Sequence, residues 1–133
     1  MLDVVIDSGN FENAAAAGED VCGGVKVWIK GEKTGLGPGG YELFKAIDEE
    51  RSVKRACARR GLSYSKGWKI VNGVEKELGF KILERQQGGA GGGEAHLTDQ
   101  GKQLLALYES YNDKVSHAAK EIFEEVFKDA DLF

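Results

Sequence analysis

SVKRACARRGLSYSKGWKIVNGVEKELGFKILERQQGGAGGGEAHLT, residues Ser52 to Thr98, is the stretch whose reading decides the fold. Ser52 suits a helix N-cap, because its hydroxyl can accept a backbone N–H that the first turn leaves unpaired. Val53, Ala56 and Cys57 take the inward positions of a short helix, and Lys54, Arg55, Arg59 and Arg60 the outward ones. Gly61 supplies a tight turn, since glycine reaches positive φ at little cost. Ser63 caps a second helix that runs to about Leu78, with Trp68, Val71, Val74 and Leu78 as its apolar stripe. Gly79 ends that helix. Phe80 to Arg85 then reads as a strand and Ala95-His96-Leu97 as its return, with Gly88-Gly89-Ala90-Gly91-Gly92-Gly93 looping between them.

A helix-turn-helix followed by a flexible hairpin is the outline of a winged helix. The expected fold is therefore mainly α with a small β-hairpin wing (α+β). In a helix-turn-helix the N-terminal end of the second helix enters the major groove of DNA. That places Ser63, Tyr64, Ser65 and Lys66 nearest the bases, with Lys54, Arg59, Arg60, Lys69 and Arg85 as phosphate contacts. Gly88, Gly89, Gly91 and Gly92 of the wing have no side chains to collide with a phosphate backbone, and their N–H groups can donate to it. Trp68, on the apolar stripe, reads as a core anchor rather than a platform for bases. Gly67 and Gly73 each cost on the order of 1 kcal/mol against alanine inside a helix. Close approach to a neighbouring helix or to DNA would explain them, and the sequence leaves both explanations open.

The charges are segregated. Residues 51–87 hold ten bases against three acids, whereas residues 1–24 hold five acids and no Lys or Arg. Residues 98–133 hold eight acids and four bases, so the chain's net charge of −4 conceals one strongly basic block. A basic face bounded by acidic flanks suits contact with phosphates while the rest stays solvated.

Working outward, Val25 to Ile29 is β-branched and aromatic and reads as a strand ending at Gly31. Gly35-Leu36-Gly37-Pro38-Gly39-Gly40 breaks the chain before a helix whose buried face is Tyr41, Leu43, Phe44 and Ile47. This glycine segment lacks the Gly-Lys-Ser/Thr ending of a nucleotide loop. Residues 1–24 read as a flexible acidic leader, within which Leu2 to Ile6 has the composition of a short strand and Ala14 to Ala17 of a helical turn. Residues 25–97 form the winged helix-turn-helix domain, and Thr98 caps a long final helix over 98–133. Leu104, Tyr108, Tyr111, Val115, Ala118 and Ile122 step by three and four, the spacing of a coiled-coil seam. Part of this face covers the domain's own core, and the remainder suits dimerisation with a second copy.

Other functions find little support. Nothing approaches the roughly 18 consecutive apolar residues of a membrane span, and no secretory signal opens the chain. Cys22 and Cys57 fit no metal or redox spacing and read as reduced thiols of a cytoplasmic protein. His96 and His117 are far apart, and His117 has no obvious carboxylate or cysteine partner. No nucleophile–base pair, metal set or cofactor fingerprint appears, so catalysis, metal and cofactors are not expected. The second reading is a winged-helix module that dimerises or docks to a partner protein without binding DNA.

Val25-Lys26-Val27-Trp28-Ile29, Leu36-Gly37-Pro38-Gly39, Leu62 to Trp68 and Gly88 to Thr98 together resemble the N-terminal domain of ModE-type, molybdate-responsive regulators. That domain is similar to the winged helix-turn-helix of LysR-type regulators, and the resemblance spans roughly Val25 to Tyr111. It implies a homodimeric protein that binds double-stranded DNA, with its recognition helix beginning at Ser63 and its wing at 88–93. Full-length members carry C-terminal molybdate-binding domains, and the 133 residues here are too few to hold one after the long helix. The resemblance therefore carries the DNA-binding motif and not molybdate sensing, and an effector would act through a separate sensing protein. Gly67 stands where the pattern has alanine.

Overall fold

The computed structural model describes residues 2–6, 21–86 and 93–133. In chain order these form β1 (Leu2–Ile6), β2 (Val25–Lys30), β3 (Gly35–Leu36), α1 (Pro38–Glu50), α2 (Val53–Arg59), α3 (Tyr64–Leu78), β4 (Leu83–Gln86), β5 (Glu94–Leu97) and α4 (Asp99–Phe127). The architecture is a winged helix-turn-helix: three packed helices, a two-stranded antiparallel wing, and a long helix leading away.

The three short helices start where side chains can cap them or where proline presets the turn. Pro38 occupies the first turn of α1, where its missing N–H costs nothing. Ser52 Oγ accepts from Arg55 N at 3.1 Å to open α2, and Ser63 Oγ from Lys66 N at 3.2 Å to open α3. Gly61 adopts φ 68° between α2 and α3, and Leu62 N donates back to Cys57 O at 2.8 Å, fixing the turn. The helices meet over Leu43, Phe44, Ala46, Ile47, Ala56, Cys57, Val71 and Val74, all essentially solvent-free. Gly67 is buried in this crossing because the Cys57 thiol fills the space a methyl group would need.

The wing is tied to this body at its root. Glu75, near the end of α3, accepts from Ile82 N at 2.7 Å and Leu83 N at 3.0 Å. Asp48 of α1 accepts from Leu97 N at 2.9 Å, and Arg51 O from Ala95 N at 3.1 Å. These bonds explain a difference from the sequence reading. The first wing strand begins at Leu83 and not at Phe80, because Ile82 donates to the Glu75 carboxylate and its own carbonyl accepts from Thr98 N at 2.9 Å. Leu83 pairs with Leu97 and Gln86 with Glu94.

The second sheet brings in the chain's beginning. β1 pairs antiparallel with β2, Leu2 opposite Ile29 and Ile6 opposite Val25, so these five residues of the acidic leader form a strand. β3 lines the other edge of β2 through Ile29–Leu36 and Lys30–Gly35. The reading of Ala14 to Ala17 as a helical turn lies outside the described residues.

α4 opens with Thr98 Oγ1 accepting from Gly101 N at 2.9 Å and packs across β2. Tyr108, 3% exposed, donates its hydroxyl to Val27 O at 2.7 Å and stacks on Tyr41 with centroids 5.0 Å apart. The Tyr41 hydroxyl in turn bonds the Glu109 carboxylate. Tyr108 was expected on the seam toward a second subunit, yet its contacts commit it within the chain. Leu104 is half-buried against the same core.

Candidate nucleic-acid interface

The first turns of α3 stand out from the body. Ser63, Tyr64, Ser65, Lys66 and Lys69 are all exposed, while Gly67, Val71 and Val74 of the same helix are buried. Helical spacing therefore sets Ser65, Lys69, Asn72 and Lys76 along one outward arc, every one of them exposed. Ser63 has a double role, since its hydroxyl already accepts from Lys66 N and lies 3.5 Å from Ser65 Oγ.

Cations flank that arc on both sides. On one side Arg60 and Lys66, with Lys69 of the arc itself, border a cleft of about 610 Å³ whose floor is apolar, with Trp28, Leu62, Ile70 and Val74. On the other, Lys54, Tyr64, Trp68, Arg85 and Gly93 meet around a smaller cleft of about 80 Å³. The second cleft joins the start of α2, the start of α3 and the root of the wing. A groove-entering helix with a basic residue to either side is the geometry needed to straddle one groove of a duplex.

Arg59 departs from its expected role. Its guanidinium donates to Glu49 Oε1 at 2.8 Å and Glu50 Oε2 at 3.3 Å, which compensates its charge. Those hydrogen bonds to Glu49 and Glu50 also raise its pKa, the bond to Glu49 contributing most. Arg55 next to it donates to Glu50 O at 2.6 Å. The acids at the end of α1 thus neutralise the C-terminal side of α2 and leave the α3 side cationic. The sequence reading did not single out Asn72, although the step of three from Lys69 would have placed it on the same arc. Its amide is of the kind that reads adenine in the major groove.

Gly88, Gly89, Gly91 and Gly92, expected at the tip of the wing, lie outside the described residues. Their flanks are described: Glu84 and His96 face each other across the wing, with His96 Nε2 2.9 Å from Glu84 Oε2. His117, for which no partner was evident in the sequence, lies 3.0 Å from Glu121 one turn along α4. Burial raises the Cys57 thiol pKa, in keeping with a packing role. Among the described residues no group of His, Cys, Asp and Glu could hold a metal ion, and no helix is long and apolar enough to cross a membrane.

The stripe on α4 changes character along its length. Tyr108 is buried, Tyr111 and Val115 are half-buried, and Ala118 and Ile122 are exposed, as are Val126 and Phe127 beyond them. Ile122 and Val126 are 58% and 68% exposed.

Residues 40–102 match the bacterial regulatory helix-turn-helix proteins of the lysR family. The chain is also 36% identical over 67 residues to the transcriptional regulator ModE of Yersinia pestis, an alignment covering 50% of this chain and 26% of that protein. It is 33% identical over 72 residues to the DNA-binding transcriptional dual regulator ModE of Escherichia coli, covering 54% and 28%. Against the molybdenum transport protein ModE of Azotobacter vinelandii it is 29% identical over 91 residues, covering 68% and 34%. The chain thus spans about a quarter to a third of the length of these relatives.

Proposed function

We propose that this chain, whose residues 40–102 are a regulatory helix-turn-helix of the LysR type, is a sequence-specific DNA-binding transcriptional regulator that acts as a homodimer. The observation that carries the reading is the exposed N-terminal arc of α3, flanked by Lys54 and Arg85 on one side and by Arg60, Lys66 and Lys69 on the other. In this reading Tyr64, Ser65, Lys66 and Asn72 meet base edges, while Lys54, Arg60, Lys69 and Arg85 meet phosphates. Ser63 serves the site by capping α3. The root of the wing belongs to the same surface, because Arg85 and Gly93 border the cleft beside Trp68.

Two such units related by a dyad would bind a palindrome with half-sites about 34 Å apart. The bare end of the α4 stripe supplies the surface for that pairing. DNA regulators of this kind work in the cytoplasm.

The test is a fluorescence titration of duplex DNA recovered by binding-site selection. Replacing Lys66 and Lys69 with alanine is expected to abolish specific binding with the circular dichroism spectrum unchanged. Wild-type affinity should fall steeply with salt as neutralised phosphates release counterions. Unchanged affinity in the double variant would refute the placement of α3 in the groove. Failure of the wild-type chain to bind any DNA at low salt would favour the protein-docking reading, which the exposed Ile122, Val126 and Phe127 also accommodate.

A further inference from the structure

We infer that Trp68 is a positioning residue for Arg85, presetting that guanidinium at the root of the wing to grip a backbone phosphate of bound DNA. The inference rests on the DNA-binding reading above. Arg85 Cζ lies 4.3 Å from the Trp68 ring centroid, within the range of a cation–π contact. Tyr64 meets the same indole edge-on with centroids 6.2 Å apart, so the ring is held from a second side.

Arg85 differs from the other arginines of the basic block whose contacts are seen. Arg55 and Arg59 are bonded to Glu49 and Glu50, whereas Arg85 meets no carboxylate among the described residues. It is exposed on β4, opposite Ala95, which offers no competing polar group. A guanidinium held over a ring by cation–π attraction spends no N–H on a carboxylate, so its N–H groups stay available. Those N–H groups form the fork that matches two phosphate oxygens. An unsupported arginine would surrender much rotamer freedom on binding, and the indole removes part of that loss beforehand. Lys54 borders the same cleft, so a phosphate seated there would meet a second cation.

Trp68 therefore links the two parts of the interface: it belongs to the helix that enters the groove, and it aims a side chain of the wing. Its half-buried position on the apolar stripe is compatible with both tasks.

The test is a double-mutant cycle with Trp68→Leu, Arg85→Gln and the pair, using a labelled duplex recovered by selection with the wild-type chain. Trp68→Leu is expected to weaken binding about three- to fivefold when Arg85 is present, and hardly at all beside Arg85→Gln. Trp68→Phe, which keeps an aromatic face, should restore most of the affinity. Arg85→Gln should lower the slope of log affinity against log salt by about 0.9, the signature of one lost phosphate. In the free protein, NMR should show the Arg85 side-chain protons shifted upfield by the indole ring current, and Trp68→Leu should abolish that shift. Equal losses in both Arg85 backgrounds would reduce Trp68 to a packing residue and overturn the inference while leaving DNA binding intact. A wild-type chain that binds no DNA would sink both readings together.

Discussion

Gly67 bears no side chain because the Cys57 thiol stands where its methyl group would lie. Alanine at 67 in the wild-type chain should therefore cost about 1–3 kcal/mol through overpacking, partly offset by its better helix propensity. In a Cys57→Ala background the obstruction is gone, and Gly67→Ala should instead stabilise by about 1 kcal/mol. Urea denaturation of the four proteins would decide the matter, and a penalty of equal size in both backgrounds would disprove the packing explanation. Arg59 and Lys69 make a second contrast at this scale, because Glu49 and Glu50 compensate only the first. Arg59→Gln should change DNA affinity less than twofold, whereas Lys69→Gln should also lower the salt slope by about 0.9. Tyr108 provides a third. Burial, then the charge of Glu42, raises its pKa from the ordinary 10.0 to about 12. A folded-state pKa above the unfolded one means that its stabilisation is complete below pH 10 and is lost as pH rises through 12. Alkaline unfolding should accordingly be steeper in the wild type than in Tyr108→Phe when followed by circular dichroism between those limits.

At the scale of elements, the joint between α3 and the wing rests on one carboxylate. Glu75 accepts both Ile82 N and Leu83 N, and its other oxygen lies 3.6 Å from Lys81 Nζ. Glu75→Ala leaves two inward-facing N–H groups unpaired, at a cost of about 2 kcal/mol. Hydrogen exchange should then quicken in β4 and β5 while the amides of α1 keep their protection; uniform acceleration throughout the domain would argue against a local hinge. This joint also shows where sequence reading stops. Ser52, Ser63 and Thr98 could be recognised as caps because each bonds a backbone N–H three residues ahead. The buried faces of α1 and α2 were equally legible from spacing alone. Glu75 was not, since nothing local distinguishes a carboxylate that turns back to cap a strand from one that faces water. The compensation of Arg59 by α1 and the bond from Tyr108 to Val27 O span 10 and 81 residues. Only the packed fold reveals such contacts. The Trp68–Arg85 cation–π contact belongs with them, joining a helix to a strand that periodicity treats separately.

At the scale of the whole molecule, α4 sets how two copies could meet. Its 29 residues extend roughly 43 Å at 1.5 Å per residue, with Gly23 packed against Ala119 and Phe123 while Ile122 and Val126 stay exposed. The apolar stripe is satisfied by Tyr41 and β2 at its start and exposed at Ala118, Ile122 and Val126. Burying Ile122 and Val126 against a second helix would contribute about 1.5–3 kcal/mol for each side chain fully covered. A carboxylate at either place could not be buried unpaired. The pair Ile122→Glu and Val126→Glu should therefore yield a monomer by sedimentation equilibrium, with thermal unfolding of residues 25–97 little changed because the domain core ends at Tyr108. If two recognition helices act on one palindrome, losing the dimer makes the second half-site an independent event. Affinity for the full site should then fall by about a hundredfold or more, while affinity for an isolated half-site stays the same. A variant that still sediments as a dimer would move the interface elsewhere on the chain. A monomer that keeps full-site affinity would show instead that one unit suffices to bind the operator.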